Sequence, residues 1–394
     1  MEEWVMNPEM TESETKMIKI LMVLGDIGQG GVQTYAMNVL RSIDRSRFHI
    51  DFAAYSISEE EYSKEMREYG SDIYLFPKFK GINYSSYVRA FNQILDEGNY
   101  DIVHGHVSSS AAIYLRIAKK HHCTTIAHSH NAGYRGNVIE RQIKRVFTLG
   151  AKGQADYWFG CSQPAAERMF GHHYKNNHRY HDIPNGIIAE KYIYDEKIRE
   201  RIRNKYHIPY DSMVYGHVGS FTTQKNHRFL IEVFKRIHTK HTGKAYFMLV
   251  GDGALKESIE CLAKQSEISD RVIFTGNVDN VHEYLMAMDE LVFPSFFEGF
   301  PLALIEAQAT GLPCLSSDTI TPEVNITGEV MFTPLCAGAD YWAEKAGSYE
   351  KKDRTKANDI IAESIYNINN SIHQLMELYE EMASKDGANN ESFR

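Results

Sequence analysis

Short apolar runs alternate with amphipathic helical stretches along this sequence, and the alternation comes in two series. Lys16–Gly25 (KMIKILMVLG) is an apolar run ending in glycine, and Gly28–Leu40 follows as a Gly-rich turn with helical spacing at Val32, Ala36, Met37 and Leu40. Strands are predicted at Phe48–Tyr55, Ile73–Phe76, Tyr100–His104, Thr124–His128 and Tyr157–Cys161, with helices over Tyr84–Leu95, Ser109–Lys120 and Val138–Lys152. The second series sets strands at Met213–Val218, Ala245–Val250, Val272–Thr275, Leu291–Pro294 and Pro313–Ser316, with helices over Asn226–Thr239, Leu255–Ala263, Val281–Met288 and Pro301–Thr310. Parallel neighbours cannot be joined by a hairpin and need a crossover, so this alternation predicts parallel βαβ units.

The fold class expected is therefore α/β, with two Rossmann-like doubly wound domains facing across a cleft. A length of 394 residues fits two such domains. The spans predicted are a polar tail over 1–16, an N-terminal domain over 17–190, a C-terminal domain over 191–355, and a final helix over 356–394 packing back towards the N-terminal domain. The apolar positions of that helix run from Ile365 to Met382. Ile187–Tyr210, charged and tyrosine-rich, reads as a linker. In open parallel sheets ligands sit at the carboxyl ends of the strands, so the cleft is where a site is expected.

Several function classes fall away on charge and composition. A net charge of −9 argues against general nucleic-acid binding. No run of about 18 apolar residues appears, so no membrane-spanning helix is predicted. Met1–Lys16 is polar and acidic, unlike a secretory signal. Cys123, Cys161, Cys261, Cys314 and Cys336 are scattered, which argues against a disulfide framework or structural zinc and fits a reducing, cytoplasmic compartment.

The strongest local motif is Ser295–Gln308, SFFEGFPLALIEAQ. A strand ends at Pro294, a loop carries Glu298 and Gly299, and Pro301 suits a first helical position. The free amides of Leu302 and Ala303 at that helix start, with the helix dipole, form an anion site suited to a diphosphate. Glu298 and Glu306 make poor phosphate ligands but good acceptors for sugar hydroxyls. Gly219–Lys225 (GSFTTQK) follows the first strand of the second series, and Lys225 can set an ammonium against a diphosphate. His128 closes a strand in the first series, so it faces the cleft, with His130 and His106 as weaker competitors. Each of these also has a plainer explanation as a solvated carboxylate, a surface lysine or a core histidine.

Glu-x7-Glu after a strand, with Gly-Phe-Pro between, resembles the signature of retaining glycosyltransferases of the GT-B fold, family four. The resemblance extends through GGVQTY at Gly30–Tyr35, IPNGI at Ile183–Ile187, QKNH at Gln224–His227, LVGDG at Leu249–Gly253, FTGNV at Phe274–Val278 and GLPCLSSD at Gly311–Asp318. Within it, the capsule and exopolysaccharide enzymes of the EpsF-like group are the most similar. The resemblance implies that Glu298 contacts the donor's hexose, Glu306 its ribose, and His128 the transferred sugar near the reacting carbon. It makes His128, Lys225 and Glu298 the catalytic candidates. The donor-binding candidates are Gly30, Gly31, Gly219, Ser220, Lys225, Asn277, Val278, Glu298, Gly299, Phe300, Pro301, Leu302 and Glu306. Many relatives carry an arginine directly after the glycine, where this chain has Ser220.

The same resemblance implies a hexosyltransferase acting with retention. Its donor would be a nucleotide diphosphate sugar, with a UDP-sugar as the prior. Its acceptor would be a saccharide or lipid-linked saccharide, in capsule or exopolysaccharide biosynthesis. With Lys225 and a helix dipole available, and no metal-binding Asp-x-Asp arrangement, neither metal nor other cofactor is expected. A sugar-nucleotide epimerase of similar two-domain architecture is the alternative, and a two-domain sugar receptor a further one. Asn185 and Gly186 read as a structural turn. His172, His173, His178 and His181 match no zinc spacing and read as a solvated loop. Arg141, Lys144, Arg145 and Lys152 lie on a helix that suits either a packed element or peripheral contact with an anionic inner membrane face.

Overall fold

In a computed structural model, residues 16–28, 30–130, 150–240, 244–349 and 353–391 are described, with side chains as far as residue 384. The first sheet has seven strands: β1 (Ile18–Val23), β2 (Phe48–Ala54), β3 (Ile73–Leu75), β4 (Ile102–Gly105), β5 (Thr124–Ser129), β6 (Tyr157–Gly160) and β7 (Tyr180–Asp182), in the order β3-β2-β1-β4-β5-β6-β7. The second has six: β8 (Met213–Val218), β9 (Ala245–Val250), β10 (Val272–Gly276), β11 (Glu290–Phe293), β12 (Cys314–Ser317) and β13 (Val330–Thr333), in the order β10-β9-β8-β11-β12-β13. Every pairing within them is parallel.

Side chains alternate across a strand, and helices cover both faces, so a central strand must be apolar on both sides. β1 shows this: Ile20 and Met22 join one core cluster, while Leu21 and Val23 join the cluster on the opposite face. β9 divides in the same way, with Phe247 and Leu249 on one side and Met248 and Val250 on the other. Each side chain so buried contributes about 1.5–3 kcal/mol. In both sheets the chain reverses direction of progress between the first strand and the fourth, β1/β4 and β8/β11. Those two switch points open the crevices in which such folds bind ligands.

The segment read as a linker is built into the second domain. Glu196–Lys205 is a helix, capped by the Asp195 carboxylate, which accepts from the Lys197 amide at 2.8 Å. It packs on the helix Val281–Ala287. Arg199 and the buried Arg203 both hold the Asp289 carboxylate, at 2.5 and 2.6 Å. Its sequence, EKIRERIRNK, carries only two isoleucines, too few to show an apolar stripe.

The terminal helix runs over Ile368–Glu391 rather than from Ile365. The residues before it cross between the two sheets beside the Ile183–Ile188 segment. Ile187 N–H donates to Tyr366 O and Ile368 N–H donates to Ile187 O, both at 2.8 Å. A Cβ on Gly186 would fall 2.7 Å from Ile368 Cα, so this glycine is required by a close approach of two chains rather than by a turn. Beyond the crossing, Ile372, Leu375, Tyr379 and Met382 enter the core cluster of β1 and the helix Gly31–Ser42.

Candidate active site

β8 ends at Val218, and Gly219 lies directly at the second sheet's switch point. A Cβ there would come within 3.0 Å of Lys225 Cε and 3.1 Å of Cδ, so the bare glycine leaves room for the lysine stem to pass. Gly251 (φ +134°) packs against Gly219 as well, since its Cβ would meet Gly219 O at 2.3 Å. Lys225 ends a short 3-10 turn, and Asn226 follows in the left-handed region at φ 56°. Asn226 Nδ2 donates to Pro294 O at 3.2 Å, which ties the lysine turn to the end of β11.

These constraints bring Lys225 to Glu298. The two form an ion pair, Nζ to Oε1 at 2.8 Å, with both side chains mostly buried. Gln224 Nε2 donates to Glu298 Oε2 at 3.0 Å and to Phe297 O at 2.8 Å. The lysine ammonium also sits 4.8 Å over the Phe293 ring. The helix that follows begins at Leu302, so Pro301 is its N-cap in extended conformation and not its first helical residue. No side chain caps this helix, and the Leu302 and Ala303 amides stay free as expected for the first turn. Glu306, one turn on, accepts from the Tyr192 hydroxyl at 2.8 Å. Burial pushes its carboxyl pKa up, opposed by the Tyr192 hydrogen bond and by the charge of Lys225. Lys225, Glu298 and Glu306 thus share one region around a helix start.

The other donor-side candidates divide. Gly299 O accepts from Ser162 Oγ of the first domain at 2.7 Å, and Phe300 stacks on Tyr366 with centroids 5.0 Å apart. The first contact joins the domains; the second ties the helix start to the crossing segment before the terminal helix. Ser220 and Asn277 are exposed, and Val278 packs on the core that holds Tyr192, Leu304 and Ile305.

Across the cleft, Gly30 caps the helix Gly31–Ser42, with both glycines exposed at the end of β1. A Cβ on Gly31 would meet Asn185 Nδ2 at 4.0 Å. Beside them lie four histidines, placed in pairs by the period-two spacing of strands β4 and β5. Their hydrogen bonds assign the tautomers. The Ile183 carbonyl only accepts, so His128 Nε2 donates to it at 3.1 Å. His128 Nδ1 therefore accepts from His104 Nε2–H at 3.1 Å, and His104 Nδ1 accepts from the Tyr379 hydroxyl at 2.7 Å. In the second pair, His130 Nδ1 donates to Asn185 Oδ1 at 3.1 Å, and His106 Nδ1 donates to His130 Nε2 at 2.8 Å. His106 Nε2 is left as a buried lone pair without a hydrogen-bond partner.

Both ring nitrogens of His128 are committed and its side chain is fully enclosed, whereas His106 and His130 keep 7% and 8% exposure. The latter two are the histidines nearer solvent. One ring nitrogen from each of His104, His106 and His128 lies within 4.8 Å of the others, a set that could hold a divalent metal. In the resting cluster the lone pairs of His104 Nδ1 and His128 Nδ1 are taken by Tyr379 and His104, while that of His106 Nε2 is unpaired. The sequence reading missed His104, Tyr192, Ser162 and the side chain of Asn185. The repeated His-x-His at His104–His106 and His128–His130 was the available signal, since i and i+2 share a strand face.

Desolvation lowers the pKa of all four of these histidines, and of His217 and His227 in the second domain; His130 and His227 fall to about 4. A histidine whose folded pKa is depressed costs nothing at neutral pH. Below about 6.5 the unfolded chain takes up protons that the folded chain refuses, so stability falls as pH falls, by about 1.4 kcal/mol per unit and group. Buried Glu290, raised to about 8, and Glu306 act in the opposite sense over that range. Six histidines outweigh two carboxyls, so the urea midpoint should be lower at pH 5 than at pH 7.5; an equal or higher midpoint would contradict this balance.

Among the described residues no helix is long and apolar enough to cross a membrane. Residues 1–15 and 131–149, which include Arg141, Lys144 and Arg145, lie outside the described residues. Lys152 is occupied: its ammonium donates to Phe170 O at 2.8 Å and lies 5.2 Å over the Trp158 ring.

Comparison with known proteins places the chain in a family. The family described as Glycosyltransferase Family 4 matches residues 29–191, and that described as Glycosyl transferases group 1 matches residues 198–357. A Bacillus subtilis protein named as the glycosyltransferase EpsF is 29% identical over 377 residues, covering 93% of this chain and 98% of the relative. An Escherichia coli UDP-Gal:alpha-D-GlcNAc-diphosphoundecaprenol alpha-1,3-galactosyltransferase is 26% identical over 57% of this chain and 58% of its own length. Among solved structures, Anabaena Alr3699/HepE in complex with UDP-glucose superposes with a TM-score of 0.74 at 16% identity, over 91% of this chain and 99% of that one. Two domain matches in order, a relative aligned end to end and a shared architecture together show that the chain is a glycosyltransferase of family 4, with the GT-B fold.

Proposed function

We propose that this enzyme moves a hexose-type sugar from a UDP-sugar to a saccharide or lipid-linked saccharide, in the biosynthesis of a capsular or exported polysaccharide, with retention and without a metal. The observation that carries the reading is the meeting of Lys225, Glu298 and Glu306 around the free amides of Leu302 and Ala303. UDP-glucose in the similar HepE structure supports a UDP donor, and the diphosphoundecaprenol acceptor named for the E. coli relative supports a lipid-linked one.

In the resting site Glu298 neutralises Lys225. A diphosphate at the helix start competes for that ammonium. Once drawn to the phosphates, Lys225 frees the Glu298 carboxylate to accept from the sugar hydroxyls. Glu306 accepts from the ribose hydroxyls. The bond from the anomeric carbon to the diphosphate oxygen breaks, and its electron pair leaves with the diphosphate. Lys225 and the helix dipole stabilise that charge. The acceptor oxygen bonds the same carbon on the same face, and its proton passes to the departing phosphate oxygen. On the first domain, Gly30, Gly31 and Asn185 border the acceptor side, with Asn185 held from behind by His130 and His106. His128 orients the cluster through His104 and Ile183. Closure of the cleft excludes water that would hydrolyse the donor.

The test is a calorimetric panel of UDP and UDP-sugars, followed by NMR of the product formed with a saccharide acceptor, with and without EDTA. UDP binding and an EDTA-insensitive product of unchanged anomeric configuration are expected. Conversion of donor alone into an epimer would favour an epimerase, and activity lost to EDTA and restored by a divalent ion would remove the metal-free claim.

A further inference from the structure

Behind the lysine turn lie two buried histidines, His217 on β8 and His227 at the start of the helix His227–Lys240. Their rings meet edge-on with centroids 4.9 Å apart, and His227 stacks on Phe221 at 4.1 Å. Among the described residues, His217 Nε2 and both ring nitrogens of His227 have no hydrogen-bond partner. A buried polar atom left unpaired costs free energy, so its retention beside a ligand site calls for a reason.

The two histidines differ in what they offer. The Val292 carbonyl only accepts, so His217 Nδ1 donates to it at 2.9 Å and the ring proton is fixed there. His217 Nε2 is therefore a lone pair. Burial keeps the ring neutral, and the neighbouring His227 and Lys225 act in the same direction. No such bond fixes the tautomer of His227. A Cβ on Gly219 would lie 3.2 Å from His217 Nε2 and 3.0 Å from Lys225 Cε. The glycine thus keeps open a gap the size of a methyl group between a fixed acceptor and the lysine stem. In the resting site the Lys225 ammonium pairs with Glu298 Oε1, although an ammonium carries three donors. Gly219 lies at the switch point, so an ammonium drawn from Glu298 towards a diphosphate there moves along this gap.

We propose that His217 is a positioning residue for Lys225: its Nε2 accepts one N–H of the ammonium once the donor's diphosphate has drawn the lysine from Glu298, and the other two N–H groups stay turned to the phosphates. This rests on the reading that Lys225 meets the diphosphate. A neutral acceptor suits the task, because it holds the cation without cancelling the charge that the leaving group needs, which a carboxylate would do.

The test is a double-mutant cycle on UDP affinity, read by calorimetry, since UDP carries the charge of the departed diphosphate. His217→Phe keeps the ring shape without the lone pair. It should weaken UDP binding about tenfold in the wild-type background, the loss of one hydrogen bond to a charged group, and have no further effect in Lys225→Ala. His217→Gln keeps both a donor for the Val292 carbonyl and an acceptor, so it should recover most of the affinity. Because His217→Phe also leaves that carbonyl unpaired and lowers stability, nitrogen NMR of protein labelled at the histidine rings supplies a second readout. UDP should shift the His217 Nε2 resonance, assigned by its loss in His217→Gln, and the shift should vanish in Lys225→Ala. Wild-type affinity in His217→Phe, an equal loss from His217→Phe in both backgrounds, or an unmoved resonance would each overturn the inference. UDP binding indifferent to Lys225→Ala would overturn it together with the reading beneath it, which separates the two failures.

Discussion

Replacing Lys225 by alanine should lower kcat by roughly 10²–10³, the range for losing one group that opposes charge on a leaving group. Lys225 is the basic side chain that the structure sets against the start of the Leu302–Ala309 helix through Glu298. Its ammonium is held by geometry on three sides: the bare Gly219, the Phe293 ring and the Asn226 tie to Pro294. Lys225→Arg preserves charge but needs a wider passage past Gly219, so it should recover only part of the rate. The same passage makes Gly219→Ala a probe, because its methyl would push the lysine stem. The effect should fall on kcat more than on KM, since the diphosphate carries most charge as it leaves. A Lys225→Ala enzyme with kcat near wild type would remove the residue from the reaction.

The second large effect is expected at Glu306. Glu306→Ala should weaken UDP binding by about 10- to 100-fold, corresponding to the roughly 1.5–3 kcal/mol of a hydrogen bond to a charged group. The change also leaves the Tyr192 hydroxyl without its acceptor. Losing that acceptor costs about 1–3 kcal/mol, offset in part because a desolvated carboxyl is removed and alanine is the better helix former, so the melting temperature should fall only modestly. Glu306→Gln keeps an acceptor for Tyr192 but loses the charge, so it should fall between the two. The readout is calorimetry with UDP alone, which separates donor affinity from turnover. Unchanged affinity in Glu306→Ala would place the nucleotide elsewhere.

How much of the fold is legible in the sequence depends on how local each signal is. β1 and β9 were legible because both faces of a central strand must be apolar, which leaves an unbroken run. The helices Glu60–Glu68 and Glu196–Lys205 were not, since each buries few side chains and carries mostly charge. In the site, the spacing of Glu298 and Glu306 across a helix start could be read directly. Their resting partners could not: Lys225 on Glu298 and Tyr192 on Glu306 are 73 and 114 residues apart along the chain. The histidine set was half visible. His128 stood out as a strand-end residue, but its link through His104 to Tyr379 of the terminal helix spans 275 residues and belongs to packing. Gly186 illustrates the remaining kind of gap: Asn-Gly is a turn signal by local chemistry, while the structure uses the missing Cβ to admit Ile368.

The crossing beside Gly186 also bears on how the molecule is made. The helix that completes the core around β1 follows the second sheet in the chain, so Ile20, Met22 and Leu40 lack its Ile372, Leu375 and Tyr379 while the second sheet is being synthesised. At roughly 5–20 residues per second, that interval lasts some ten seconds or more. The first of the two sheets is thus sealed only after the second has been made. On the ribosome it would hold an open apolar surface, a natural landing place for a chaperone, until the final helix arrives and locks it shut.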